Sequence, residues 1–284
     1  MRIQLLSDLH LEVHPQFQPE PAPDAQVLVL AGDIGSYQSG SLLPGDDFGL
    51  ERFSPLPQYA GWPCPVIFVP GNHEYDAQDW DEAHLRLQRL CDRLGLIWLE
   101  RETTVLDGVR FVGTTLWTDF DAIALLDEQV QAGNLGQLLK LREKSFRAAN
   151  FYLQKTGGTR HGQDFLAEPM RDQALLCHDW LRQTLAQAHD GPTVAVTHFA
   201  PSLRSHDPRY GLTAGTAGFC SQLDDLLPAA QLWLHGHVHT PIDYLAQGLH
   251  PDGSSWRCRV HANPLGYARK GEQASFQAAR SIGL

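Results

Sequence analysis

No stretch of this 284-residue chain reaches the ~20 consecutive apolar residues needed to cross a bilayer. A membrane-spanning role is therefore not expected. The N-terminus shows no charged segment followed by an apolar one and enters a strand pattern at once, so a secretory signal is not expected either. Cysteine is sparse and unpaired in pattern: Cys64, Cys91, Cys177, Cys220 and Cys258 make an odd number with no CxxC motif. That usage suits a reducing, cytoplasmic setting and buried thiols, and excludes a disulfide framework. Basic residues are also in deficit. With 22 Lys and Arg against 33 Asp and Glu, the formal net charge is −11, which counts against nucleic acid as a partner because a phosphate-backbone grip needs concentrated positive charge. Repeats and low-complexity tracts are missing as well, so the chain reads as one domain over 1–284.

What is present begins with the first strand pattern, Arg2 to Leu6, and the Ser7-Asp8-Leu9-His10 that follows it. If the backbone stays extended there, Asp8 and His10 share a face, because side chains two apart in a strand do. Further short apolar runs follow, at Val27–Ala31, Val66–Val69, Thr193–Val196 and Leu232–Leu234. Each has the length and continuity of a strand buried on both faces. Each also closes on a polar motif: Gly32-Asp33, Gly71-Asn72-His73-Glu74, Thr197-His198 and Gly236-His237-Val238-His239.

Between these lie amphipathic helical patterns at Trp80–Leu94 and Met170–Ala188, and a hairpin signal at Asp107-Gly108. Residues 36–60 read as a long loop, and Leu135–Phe151 as a helix within a helical insertion over about 114–168 that would form a lid or wall. Strands alternating with helices make this an α/β chain, and in such sheets motifs at the carboxyl ends of strands converge.

The donor types are carboxylates (Asp8, Asp33), imidazoles (His10, His198, His237, His239) and the Asn72 amide. Seven mixed oxygen and nitrogen donors exceed one tetrahedral ion and suit two cations ~3.5–4 Å apart, with Asp33 as the shared carboxylate. Mn, Fe and Zn all suit such donors.

The ordered set from Asp8-x-His10 to Gly236-His237-x-His239 resembles the calcineurin-like metallophosphoesterase superfamily. The resemblance implies two packed mixed β-sheets flanked by helices, an α+β sandwich. It also implies one divalent metal ion on Asp8, His10, Asp33 and His239 and a second on Asp33, Asn72, His198 and His237. His73 would be the non-ligand imidazole that assists the leaving group while metal-activated hydroxide attacks phosphorus.

The implied activity is hydrolysis of phosphate esters, as a phosphodiesterase or phosphomonoesterase acting on small molecules such as nucleotides. A nuclease of the same superfamily and a non-catalytic binding scaffold on the same fold are the alternatives; scaffolds lose ligands, and this chain keeps the full set. One departure stands out. Ser/Thr phosphoprotein phosphatases extend the second motif to GDxxDRG, with an Arg for phosphate and an Asp that orients the catalytic His, whereas this chain reads Gly32-Asp33-Ile34-Gly35-Ser36-Tyr37-Gln38. The sequence thus lacks both groups there, and Arg204 and His206 are substrate-binding candidates by position alone. Glu74 and His235 read as structural, as does the Asn263-Pro264-Leu265-Gly266-Tyr267 segment.

Overall fold

The apolar runs become the centres of two stacked sheets. The structure, a computed structural model, describes residues 1–284. Its strands and helices run in the order β1 (Arg2–Leu6), β2 (Val27–Ala31), β3 (Val66–Val69), α1 (Trp80–Leu94), β4 (Ile97–Trp98), β5 (Glu102–Leu106), β6 (Val109–Thr114), α2 (Glu128–Gln131), α3 (Leu135–Leu153), β7 (Thr159–Arg160), β8 (Gln163–Asp164), α4 (Ala167–Leu185), β9 (Thr193–Thr197), β10 (Leu232–His235), β11 (Ile242–Leu249), β12 (Ser255–Ala262) and β13 (Ser281–Gly283). One sheet has the order β13-β1-β2-β3-β4 and the other β11-β12-β10-β9-β6-β5. The β1-β2-β3 and β6-β9-β10-β12 pairings are parallel, and antiparallel strands close the edges at β13, β5 and β11.

Alternation within each strand divides the core in two. Ile3, Leu5, Val27, Val29, Ile67 and Val69 face Phe111, Val194, Val196, Leu232 and Leu234 across the sandwich. The residues between them, such as Leu28, Leu30, Phe68, Ala195 and Trp233, point outward into a second cluster with the apolar faces of α1 and α4. Both faces of the central strands are covered, which is why their sequences lack polar alternation.

Helix α1 matches its sequence pattern in both bounds. Asp79 accepts hydrogen bonds from the backbone N–H groups of Asp81 and Glu82, and Gly95 ends the helix in a left-handed conformation. Helix α4 starts three residues before the predicted Met170, at Ala167, with Pro169 in its first turn, where the missing N–H leaves nothing unpaired. Between β6 and α4 the chain forms α2, α3 and the β7-β8 hairpin, and α3 packs against the 3-10 segment Ala214–Gly218. No helix is long and apolar enough to cross a membrane.

Candidate metal centre

Five chain segments leave the carboxyl ends of β1, β2, β3, β9 and β10 and meet above one edge of the sandwich. The expectation of an extended Asp8-x-His10 is wrong. Strand β1 stops at Leu6, and Asp8 and His10 adopt left-handed backbone with φ of 52° and 46°. Asp33, His237 and His239 do the same, at 54°, 68° and 49°. Non-glycine residues occupy this region at a cost, and here the surrounding hydrogen bonds hold them in it. Asp8 N–H donates to Gly32 O (3.0 Å), His10 N–H to Asp33 O (3.1 Å) and Gly266 N–H to Asp8 O (2.9 Å).

Glu74 ties the second and third segments together. Its carboxylate accepts from the backbone N–H groups of Asp33, Ile34 and Gly71 at 3.0, 2.6 and 2.7 Å. Burial and the neighbouring Asp33 charge push its carboxyl up to about 7. Gly71 must lack a side chain, because a Cβ there would lie 2.2 Å from Asp33 Oδ1; at Gly236 one would lie 2.7 Å from Asp8 Oδ2. The glycines of the GNH and GHxH motifs are therefore clearance for the carboxylates.

All seven sequence-predicted donors come together. Atoms of Asp8, His10, Asp33 and His239 lie within 4.8 Å of one another, and so do those of Asp33, His198 and His237. Asn72 Oδ1 stands 3.2 Å from His198 Nε2. What the rings do outside the cluster sets what they present inside it. His10 Nδ1 lies 2.9 Å from Glu12 Oε1 and His239 Nδ1 lies 2.9 Å from Glu272 Oε2, so each Nδ1–H donates outward and each Nε2 turns a lone pair inward. Those two Nε2 atoms are only 3.0 Å apart.

The other half repeats the pattern. His198 Nδ1–H donates to Ala31 O (2.8 Å) and His237 Nε2–H to Gly218 O (3.4 Å), leaving His198 Nε2 and His237 Nδ1 facing each other at 3.2 Å. Asp33 Oδ2 is buried without a hydrogen-bond donor, although His198 Nε2 is 3.2 Å away. Lone pairs at such distances repel unless positive charge lies among them, so the residues present fit a pair of cations. Burial alone would lower His198, but Asp33 beside it pushes it up to about 9, and against the same burial Asp8 and Glu272 push His239 up to about 9.

His73 stands at the rim of this cluster, its ring 5.0 Å from that of His10 and its Nε2 4.0 Å from Asp33 Oδ2. Its Nδ1–H donates to Asp76 Oδ2 at 2.5 Å. Burial works against its charge, yet Asp76 and Asp33 hold it well above the usual imidazole range. The orienting carboxylate that appeared missing from the Gly32-Asp33 motif thus arrives from Asp76, three residues after the imidazole it serves. A carboxylate in a 3-10 turn at His-x-x-Asp spacing was the available signal. Glu12 and Glu272 carry no signal in the sequence, and Tyr267, read as structural, stacks on His10 with centroids 4.2 Å apart.

Arg204 and His206 are not drawn into the cluster by any contact. Arg204 lies over the Tyr244 ring (4.2 Å) and donates to Leu245 O, while His206 Nδ1–H donates to Leu203 O. His235 is fully buried between Gly236 O and Ser205 Oγ, and burial pushes it down to about 4.

The chain is similar to known proteins in sequence and in fold. The family model described as calcineurin-like phosphoesterase matches residues 1–241. An uncharacterised protein of Acanthamoeba polyphaga mimivirus is 22% identical, over 95% of this chain and 93% of its own length. Among solved structures, the phosphopantetheinyl hydrolase from Mycobacterium tuberculosis superposes with a TM-score of 0.63 at 21% identity, covering 99% of this chain and 95% of that one.

Proposed function

This chain belongs to the calcineurin-like phosphoesterase family and is a metal-dependent phosphoesterase, and we propose that it hydrolyses phosphate esters of small molecules such as nucleotides, as a phosphodiesterase or a phosphomonoesterase. In this reading Asp8, His10, Asp33 and His239 hold one divalent cation, and Asp33, Asn72, His198 and His237 hold the other. Mn, Fe and Zn are the candidate ions for these mixed donors. When bound, such a pair supplies Lewis-acid polarisation of phosphoryl oxygen and lowers the pKa of water.

The chain's own residues supply the rest. Glu12 and Glu272 orient His10 and His239, Glu74 fixes the loops that carry Asp33 and Asn72, and His73 delivers a proton from Nε2 to the departing oxygen. Asp76 keeps that imidazole turned and charged, a role worth ~10²–10⁴-fold for a well-placed general acid. The observation that carries the proposal is the pair of imidazole contacts at 3.0 and 3.2 Å in which lone pairs face one another around a buried carboxylate oxygen.

The test is hydrolysis of bis-p-nitrophenyl phosphate and p-nitrophenyl phosphate by metal-stripped protein refilled with Mn²⁺, Zn²⁺ or Fe²⁺. Turnover of at least one ester that returns on refilling is expected, and the preferred ester assigns the site as a diesterase or a monoesterase. A protein that takes up no metal, or that binds two ions and turns over neither ester, would overturn the reading.

A further inference from the structure

The two ends of the cluster have unlike surroundings. At the His10 end they are polar. Arg269 and Lys270 lie over the Tyr267 ring, and a groove of about 470 Å³ continues past Glu12 and Gln38. At the His237 end they are aromatic. Phe199 is buried with its ring centroid 4.0 Å from the His237 imidazole, and Phe219 lies 4.9 Å from the same imidazole at 31°. Unlike Phe199, Phe219 is 44% exposed.

That exposure is built in. Phe219 N–H donates to Thr216 O (3.0 Å), its carbonyl accepts from Ala200 N–H (3.2 Å), and the next residue, Cys220, is buried and bridged to Ala200. The preceding turn is backed by α3. A single exposed Phe on a protein surface is ordinary. One held by its backbone beside an imidazole of the site and left partly in water is a platform, because it offers aromatic surface for stacking.

His73 occupies the other end, against His10. With a leaving oxygen within reach of His73 at that end, the ester group that stays on phosphorus is free to extend toward the His237 end, where Phe219 lies. Resting on the phosphoesterase reading above, we propose that Phe219 is a specificity-determining residue that stacks on a flat group, of nucleobase chemistry, carried by the retained ester of a phosphodiester.

The experiment compares two diesters with the same p-nitrophenyl leaving group on the Mn²⁺-loaded protein, one retaining thymidine and the other ethyl. Wild type should prefer the thymidine ester in kcat/KM by about tenfold or more, the scale of one base on one aromatic ring. Phe219→Ala and Phe219→Leu should collapse that ratio toward one, mainly through KM, and Phe219→Trp should keep it. Calorimetry with thymidylate against ethyl phosphate reads the same preference without turnover, and metal content with Tm verifies that each variant is folded. No preference in wild type, or a preference that survives in Phe219→Ala, overturns the platform. Failure of the two-metal wild type to hydrolyse either ester strikes the hydrolase reading instead, and calorimetry still decides the platform.

Discussion

The two halves of the cluster use similar donors but different support. Around His10 and His239 the outward hydrogen bonds end on carboxylates, Glu12 and Glu272. Around His198 and His237 they end on the backbone carbonyls of Ala31 and Gly218. A carboxylate raises the basicity of the imidazole it holds and adds charge nearby, whereas a carbonyl only orients the ring. The first half should therefore hold a cation more tightly than the second. Asp33, common to both, is the one residue whose loss should erase the difference.

The largest effect expected is that of Asp33→Ala. Elemental analysis should show both ions lost and activity abolished, and two ions retained would remove Asp33 as the shared donor. His73→Ala, which removes none of the seven donors, should keep both ions and lower kcat by ~10²–10⁴-fold, most for esters with poor leaving groups; Asp76→Asn should fall between it and wild type. Unchanged turnover of a poor leaving group by His73→Ala would exclude the acid role. Glu272→Gln sharpens the comparison directly. It should weaken the tighter cation by ~10–100-fold and leave the other, so that titration with Mn²⁺ shows the gap between the two affinities narrowed or reversed relative to wild type. Equal weakening of both ions would break the contrast between the halves.

The smallest effect concerns an imidazole outside the cluster. His84, stacked against Trp80 and bonded to Tyr75 Oη (3.1 Å), is pushed down to about 4 by burial and then by Arg101, the opposite direction from His198 and His239. A depressed pKa contributes stability above the unfolded value of about 6.5 that is lost as pH falls through 4. His84→Phe should therefore start less stable at pH 7, with Tyr75 unpaired, but lose about 1–2 kcal/mol less between pH 6.5 and 4 in urea titrations. An acid limb as steep as that of wild type would assign the loss elsewhere.

Much of the scaffold was legible because it obeys short-range rules. Five apolar runs of strand length, a capped helix at Trp80–Leu94 and the Asp107-Gly108 turn each carry their own signal, and the structure places all of them. Strand β13 escaped notice because Ser281-Ile282-Gly283 holds a single apolar residue, and its pairing with β1 spans the whole chain. The extended reading of Asp8-x-His10 failed because the backbone turns left-handed past β1, a conformation imposed by hydrogen bonds to segments around residues 32 and 266.

The residues around the donors divide in the same way. Asp8, His10, Asp33, Asn72, His73, His198, His237 and His239 stand out in the chain because each follows a strand and strand ends are visible locally. Glu12, Asp76, Glu272 and Phe219 have no such mark. Their roles are contacts with a ring or a loop, and any carboxylate or Phe in the chain could have served until packing selected these. By itself the sequence determined the strands, their order and the chemistry offered at their ends, since periodicity and residue type act over a few neighbours. Which lone pairs face one another, which carboxylate orients which imidazole and which aromatic ring is left in water were decided only by the tertiary structure. Those depend on distances of about 3–5 Å between segments up to 200 residues or more apart, and no local rule encodes them.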